Sequence, residues 1–225
     1  MKVLAIETSS ARGSVALLED DAVVAQCDFA EGAKHGRDLL PCVEKVTGGN
    51  HAGIDLVAVS GGPGSFTGLR VGIAFAKIFC IESGIPLVSV SSLDVIAENV
   101  TDAASLCVIV DARLGHVYAA IYDDERNKIY GDAIAPPEQV AAMLASDMLV
   151  TGDGLKRYRD MFAASAKVID DEKTWRPLAA NVGKLGRLKF LKHGAEDPRS
   201  IVPRYLGRPQ AELKWEKFQN GRGPK

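Results

Sequence analysis

With 225 residues, 47% of them hydrophobic and 25% charged, and a net charge of −2, the chain has the size and apolar content for one sizeable domain or two small ones. Its longest apolar stretches are strand-length or interrupted by charges such as Arg70 and Lys77, and Met1-Lys2 leads straight into a strand signal, so neither a membrane span nor a signal peptide is expected. Cys27, Cys42, Cys80 and Cys107 lie far apart with no CxxC pair, which reads as the reduced thiols of a cytoplasmic protein, not as disulfides or a zinc site.

The first hundred residues alternate strand and helix signals. Residues 3–6 and 14–18 predict strands, and 23–27 predicts a third, reached through the turn Glu19-Asp20-Asp21. A helix is expected over 39–46, where Leu39, Val43 and Val46 fall on one face. A strand at 56–59, a long apolar helix ending near Ser83, a strand at 86–90 and a short helix from Ser91 follow. The pattern then restarts. Residues 106–110 and 117–122 read as a hairpin, and Asp123-Asp124 turns into a strand at 127–130. With the polar stretch 98–105 as boundary, two copies of one α/β unit are expected, 1–100 and 101–225. The second is truncated, punctuated by Pro136-Pro137, residues 152–154 and Arg176-Pro177. Residues 220–225 are expected to be disordered.

Charge is uneven along the chain. Residues 1–100 hold 7 Lys+Arg against 12 Asp+Glu, whereas residues 181–225 hold 11 against 4. A basic end suits a nucleic-acid phosphate backbone or an acidic partner, but a solvated helix face around Lys184, Arg187, Lys189 and Lys192 with a frayed tail is the simpler account.

Between the strand at 56–59 and the long helix lies SGGPGSFTGLRVG, residues 60–72. Gly61, Gly62 and Gly64 permit backbone angles and close approaches denied to other residues, Pro63 stiffens the turn, and Ser65 or Thr67 can cap the helix. A glycine turn from strand to helix is a common phosphate cradle. Here the P-loop Lys-Ser/Thr pair is replaced by Leu69-Arg70 after Gly68, and GxGxxG fails because Gly64 is followed by Ser65, Phe66 and Thr67. Neither standard nucleotide motif is present.

The run GGPGSFTGLRVG resembles the signature of the TsaB (YeaZ) family. Segments resembling that family recur in order: LAIETSSARGSVAL, HGRDLLPCVEKV, IPLVSVSSLDVIA, DARLGHVYAA, TGDG and PRYLGR. The resemblance is strong through residue 122 and thins to short matches beyond. It implies an actin-like, hexokinase-like (ASKHA) fold of two βββαβα lobes. It also implies a non-catalytic subunit that docks and activates TsaD, the enzyme that transfers a threonylcarbamoyl group from threonylcarbamoyl-adenylate to N6 of adenosine at position 37 of tRNA. The small ATPase TsaE completes such a complex, tRNA is met through the complex, and the subunit also pairs with itself. No tightly bound cofactor is implied, and ATP or ADP enters at the level of the complex.

Three catalytic readings can be tested on the residues. The turn where actin-like kinases hold phosphate reads Glu7-Thr8-Ser9-Ser10-Ala11-Arg12-Gly13, with Ser9 where a close-approach glycine is wanted and Glu7 where the family usually shows Asp. Glu7, Thr8, Ser9, Ser10 and Asp111 are weak nucleotide-site candidates, Glu7 and Asp111 being the acids that a kinase-like cleft between the two halves would pair. TsaD binds metal through two histidines four apart on one helix. Here His35 is followed at that spacing by Leu39, and His51, His116 and His193 likewise lack a histidine or cysteine three or four residues away, so no metal site is expected. A nucleophile elbow at Ser65 fails for want of GxSxG.

The long helix is apolar nearly all round. Leu69, Ile73, Ala76 and Cys80 form one stripe suited to the sheet, and Gly68, Gly72, Phe75 and Phe79 form a second about 100° away. The two glycines would let a partner helix approach closely. The expected partner surface is therefore Leu39, Leu40, Val43, Phe66, Gly68, Arg70, Gly72, Phe75 and Phe79. Two rivals stand beside this reading: a small kinase or glycoprotease, and a free-standing homodimer that binds nucleotide and regulates something else.

Overall fold

The computed structural model describes residues 1–30, 35–102 and 104–207. The predicted disorder of 220–225 lies outside these residues. The first sheet takes β1 (Lys2–Glu7), β2 (Ser14–Glu19), β3 (Ala22–Asp28), β4 (Leu56–Gly62) and β5 (Leu87–Ser91) in the order β3-β2-β1-β4-β5. β1 runs antiparallel to β2 and parallel to β4, which is parallel to β5. The second sheet repeats this with β6 (Leu106–Arg113), β7 (His116–Tyr122), β8 (Lys128–Ala135), β9 (Leu149–Thr151) and β10 (Lys167–Val168), ordered β10-β9-β6-β7-β8, with α4 (Pro137–Ala141) between β8 and β9 and α5 (Leu155–Ala163) between β9 and β10. A βββαβα unit used twice is the actin-like arrangement. The second copy is cut down in its elements, β9 having 3 residues and β10 only 2.

Side-chain alternation explains why the central strands are apolar without interruption. Leu4, Ile6, Val57 and Val59 face one core, shared with α1 (His35–Thr47) and α2 (Phe66–Ser83). Val3, Ala5, Leu56 and Ala58 face the opposite core, shared with α6 (Ala179–His193). A strand covered on both faces shows no polar side to its sequence.

α2 is delimited as its sequence predicts. The Ser65 hydroxyl accepts from the Gly68 N–H at 3.2 Å, and Gly84, at φ 71°, ends the helix with its N–H on the Cys80 carbonyl. α1 starts at His35, earlier than the apolar face at 39–46 suggests, because its first turn is polar. β8 runs on to Ala135, past the predicted end at 130. Gly131 punctuates the sequence like a turn but occupies an irregularity in the strand, where an added Cβ would lie 2.3 Å from the Ala119 carbonyl oxygen.

The division at residue 100 does not describe the packing. α3 (Ser92–Ala97) sends Leu93, Ile96 and Ala97 into a core with Leu106 and Val108 of the second sheet. α6, which starts 79 residues beyond that boundary, lies on the first sheet, with Gly183 against Leu18 and Ala5 and Gly186 against Ala58. The correction has a simple cause: each sheet needs its rear face covered, and the covering helix comes from the other half of the sequence.

After α6, residues 194–207 return along the first lobe. Glu196 bridges to Leu87 on the exposed edge of β5, where its carboxylate accepts from the Ser89 N–H at 2.6 Å and from Lys189 Nζ at 2.7 Å. Burial alone would raise this acid, but the hydrogen bonds from Lys189 and Ser89 outweigh it and hold the carboxyl below its ordinary value. Lys77 then reaches the carbonyls of Arg199 and Ile201, and the Arg204 N–H reaches the Gly61 carbonyl. The Arg204 guanidinium ends on Asp132 of β8, a side chain only 2% exposed that also pairs with Lys128. Lys128 pairs in turn with Asp94 of α3, tying the lobes together. On the far side, Asn181 donates to Asn99, which donates to the carbonyls of Thr174 and Arg176.

Candidate functional site: a helical face and an inter-lobe cleft

The glycine-rich loop is filled by protein. A Cβ at Gly64 would stand 2.2 Å from the Ser9 carbonyl oxygen, one at Gly68 2.0 Å from the Thr8 carbonyl oxygen, and one at Gly72 2.2 Å from Thr8 Oγ1. The Ser65 N–H donates to the Ser9 carbonyl at 2.6 Å. Gly61, Gly62 and Pro63 are buried, and Thr67 is exposed at the helix start. The glycines therefore let α2 ride on the turn between β1 and β2. This corrects the expectation for Gly68 and Gly72, which face Thr8 inside the domain and offer nothing to a partner helix.

That turn is itself folded inward. Glu7 and Thr8 are fully buried. One Glu7 oxygen accepts from the Ser9 hydroxyl at 2.6 Å, while Oε2 and Thr8 Oγ1 have no hydrogen-bond partner among the described residues. Burial pushes the Glu7 carboxyl up, against the opposing hydrogen bonds from Ser9. A folded-state value above the unfolded one means that protonation stabilises the fold, and that this stability drains away as pH rises from 4.5 through the folded value. Glu7→Gln, which cannot ionise, is expected to gain stability relative to the unmodified chain as pH rises from about 5 to 8. Denaturant midpoints across that range check it, and a constant difference would show that Glu7 keeps its ordinary value.

Of the weak nucleotide-site candidates, Ser9, Ser10 and Asp111 line a cleft of about 1340 Å³ between the lobes, and Glu7 and Thr8 do not. Asp111 is held within its own lobe, its carboxylate accepting from the Arg113 N–H at 2.8 Å and pairing with the Arg113 guanidinium at 3.2 Å. Its neighbouring acid is Asp153, which accepts from the Asp111 N–H at 3.1 Å and is pushed up by burial and by the Asp111 charge. Asp153 escaped the sequence reading as a site residue. Its signal was the TGDG turn directly after a strand, where Gly152, at φ 112°, passes against the Ile109 carbonyl.

The cleft wall alternates charge and aromatic surface. Arg12, Lys173 and Arg176 approach from the connecting segments, Lys156 from the start of the helix Leu155–Ala163, and the β6–β7 hairpin presents Arg113, Leu114 and His116. At the mouth, Phe66 and Tyr205 lie with ring centroids 4.9 Å apart, the Arg70 guanidinium sits 3.8 Å from the Phe66 centroid, and Arg70 donates to the Tyr205 hydroxyl.

The helical face differs in detail from the expected one. Leu39 and Val43 are buried in the core, as a one-faced stripe on a helix requires, and so are withdrawn from any partner surface. Phe75 and Phe79 are half-buried against the same core, stacked at 5.8 Å, with His51 edge-on to Phe79. What faces solvent is Leu40 on α1, 50% exposed, and Phe66, Arg70, Ala74, Ile78 and Ile81 on α2, with Ile78 64% exposed. Since both helices cover one face of the first sheet, their outer sides point the same way.

Two of the four Lys and Arg side chains of α6, and His35, are engaged locally. Arg187 pairs with Asp20 and Asp21, and Lys189 with Glu196, so much of the basic surface of α6 is neutralised. His35 donates to the Ser10 carbonyl and packs edge-on to Phe29. Among the described residues, no group of three His, Cys, Asp or Glu side chains is placed to hold a metal, and no helix is long and apolar enough to cross a membrane.

The family model described as TsaD, tRNA N6-adenosine threonylcarbamoyltransferase, matches residues 31–215. Full-length relatives carry another name. The tRNA threonylcarbamoyladenosine biosynthesis protein TsaB of Escherichia coli is 30% identical over 97% of this chain and 98% of its own length. That of Bacillus subtilis is 30% identical over 97% of this chain and 100% of its own. Among solved structures, YeaZ from Pseudomonas aeruginosa aligns with a TM-score of 0.81 at 25% identity, covering 91% of this chain and 99% of that one.

Proposed function

Because the chain belongs to the TsaB (YeaZ) family, we propose that it is a non-catalytic subunit in the synthesis of N6-threonylcarbamoyladenosine at position 37 of tRNA. In this reading it docks and activates TsaD through the outer sides of α1 and α2. The observation that carries it is the row of exposed apolar side chains along α2, Ala74, Ile78 and Ile81, on a helix whose other sides are already committed to the sheet and to Thr8. Such a row on a folded domain marks a contact surface.

The inward fold of the kinase-like turn supports a scaffold over an enzyme. A γ-phosphate needs backbone N–H groups open to the cleft, whereas the Ser9 N–H is spent on Glu7 and the Ser65 N–H on Ser9. TsaE joins at the level of the larger complex, as do ATP and tRNA. Self-pairing uses the same apolar row, so homodimer and heterodimer exclude one another.

The test is reconstitution. TsaD is expected to co-purify with the tagged chain, and threonylcarbamoyl transfer to tRNA to require both proteins, the isolated chain giving none. Transfer by TsaD alone at the rate of the mixture, or failure to co-purify, would overturn the proposal.

A further inference from the structure

The cleft between the lobes has a chemistry that the docking role leaves unused. Its wall carries six Lys/Arg side chains against three Asp/Glu. Arg113 is paired with Asp111 and Lys156 with Glu172, inside the cleft. Arg176 and Arg204 are paired with Asp28 and Asp132, acids that do not line it. Arg12 and Lys173 are exposed and have no ion pair among the described residues. The ligand this wall fits is therefore an anion.

The aromatic surfaces narrow the choice. Phe66 and Tyr205 stand at the mouth, 39% and 43% exposed, and Arg70 backs the Phe66 ring. A cationic channel with exposed rings at its opening is how proteins hold a nucleic-acid strand whose bases are free to stack. A mononucleotide fits less well, since the glycines that would cradle its phosphates are filled by Ser9 and Thr8. α6, the other basic region, has spent Arg187 and Lys189 on acids.

We propose that the inter-lobe cleft binds a single-stranded segment of RNA, with phosphates on Arg12, Arg113 and Lys173 and a base stacked at Phe66 and Tyr205. The inference rests on the reading that this chain serves a tRNA-modifying complex, and it assigns the subunit a direct contact with the RNA.

The experiment uses the full-length chain and a fluorescent single-stranded oligouridine, titrated across a range of salt. Arg12→Glu with Lys173→Glu is expected to weaken binding at least tenfold and to flatten the slope of log affinity against log salt by about 1.4, two phosphate contacts at about 0.7 each. Tyr205→Ala is expected to weaken binding about fivefold or more with the slope unchanged. Lys184→Glu with Lys192→Glu, on α6, is expected to change neither. Photo-cross-linking of 4-thiouridine RNA to the unmodified chain tests the same point without any substitution and should mark peptides containing Arg12, Arg113, Lys173 or Tyr205. No binding by the unmodified chain, full affinity in the Arg12/Lys173 variant, cross-links confined to α6, or displacement of the RNA by one equivalent of ADP would each overturn the proposal. Co-purification with TsaD is scored on the same variants. Retained TsaD association with lost RNA binding fits the proposal, and unaltered RNA binding by a chain that never captures TsaD would sink the docking reading alone.

Discussion

A chain carrying Leu40→Asp and Ile78→Asp is expected to keep its melting temperature within a degree or two and to bind TsaD at least a hundredfold more weakly. Both side chains are half or more exposed in the free chain, so a charge at either position stays hydrated and the fold is unmoved. In a docked interface each carboxylate would be stripped of water without a partner, and even about 2 kcal/mol per site multiplies to a factor of several hundred or more. Phe75→Ala and Phe79→Ala should behave in the opposite way. These rings pack on the core and on each other, so each truncation is expected to destabilise the fold by about 3 kcal/mol. Thermal melting and co-purification on the same samples separate the two classes. A Leu40/Ile78 variant that still binds at full strength places the contact elsewhere.

The second large effect is expected at Gly68. The Cβ of Gly68→Ala would stand 2.0 Å from the Thr8 carbonyl oxygen, which is backbone and has no rotamer by which to move aside. Either α2 or the β1–β2 turn must shift, and the cost is expected to be about 3 kcal/mol. For a chain of this size that lowers the melting temperature by roughly 6–12 °C. Gly36→Ala serves as the control, because nothing lies within 4 Å of its Cβ position and helix propensity favours alanine there. Loss of TsaD binding by Gly68→Ala at unchanged stability would restore the helix-contact role that the structure withdraws from this glycine.

These two results mark where the sequence was readable. The sheet-facing stripe Leu69, Ile73, Ala76 and Cys80 followed from its period, and all four are buried. The same rule, applied consistently, would have put Leu39 and Val43 inside as well, since a helix with one apolar face turns that face to the core. Gly68 and Gly72 were legible as sites of close approach, but a glycine carries no record of what approaches it. α6 was hidden for a related reason. Its sheet contacts are made by Ala179, Val182, Gly183 and Gly186, which are small, while Lys184, Arg187, Lys189 and Lys192 dominate the composition and suggest a helix standing in solvent. The cleft was the least accessible feature, because Arg12, Asp111, Asp153 and Lys173 belong to separate stretches of chain that only the juxtaposed sheets bring to one wall.

The placement of α6 bears on how the chain is made. Its Ala179 N–H is fixed by the Ser14 hydroxyl, 165 residues away, and Val182 closes a core begun by Val3 and Ala5. A ribosome has therefore released nearly the whole polypeptide before the rear of the first sheet can be covered. The strands of the second sheet, residues 106–168, need only each other and elements already synthesised. Emergence order and completion order are thus reversed: the lobe translated first waits, with Val3, Ala5, Leu56 and Ala58 bare, for the helix translated last. A message truncated before residue 179 would yield a nascent product with that apolar surface open to chaperones.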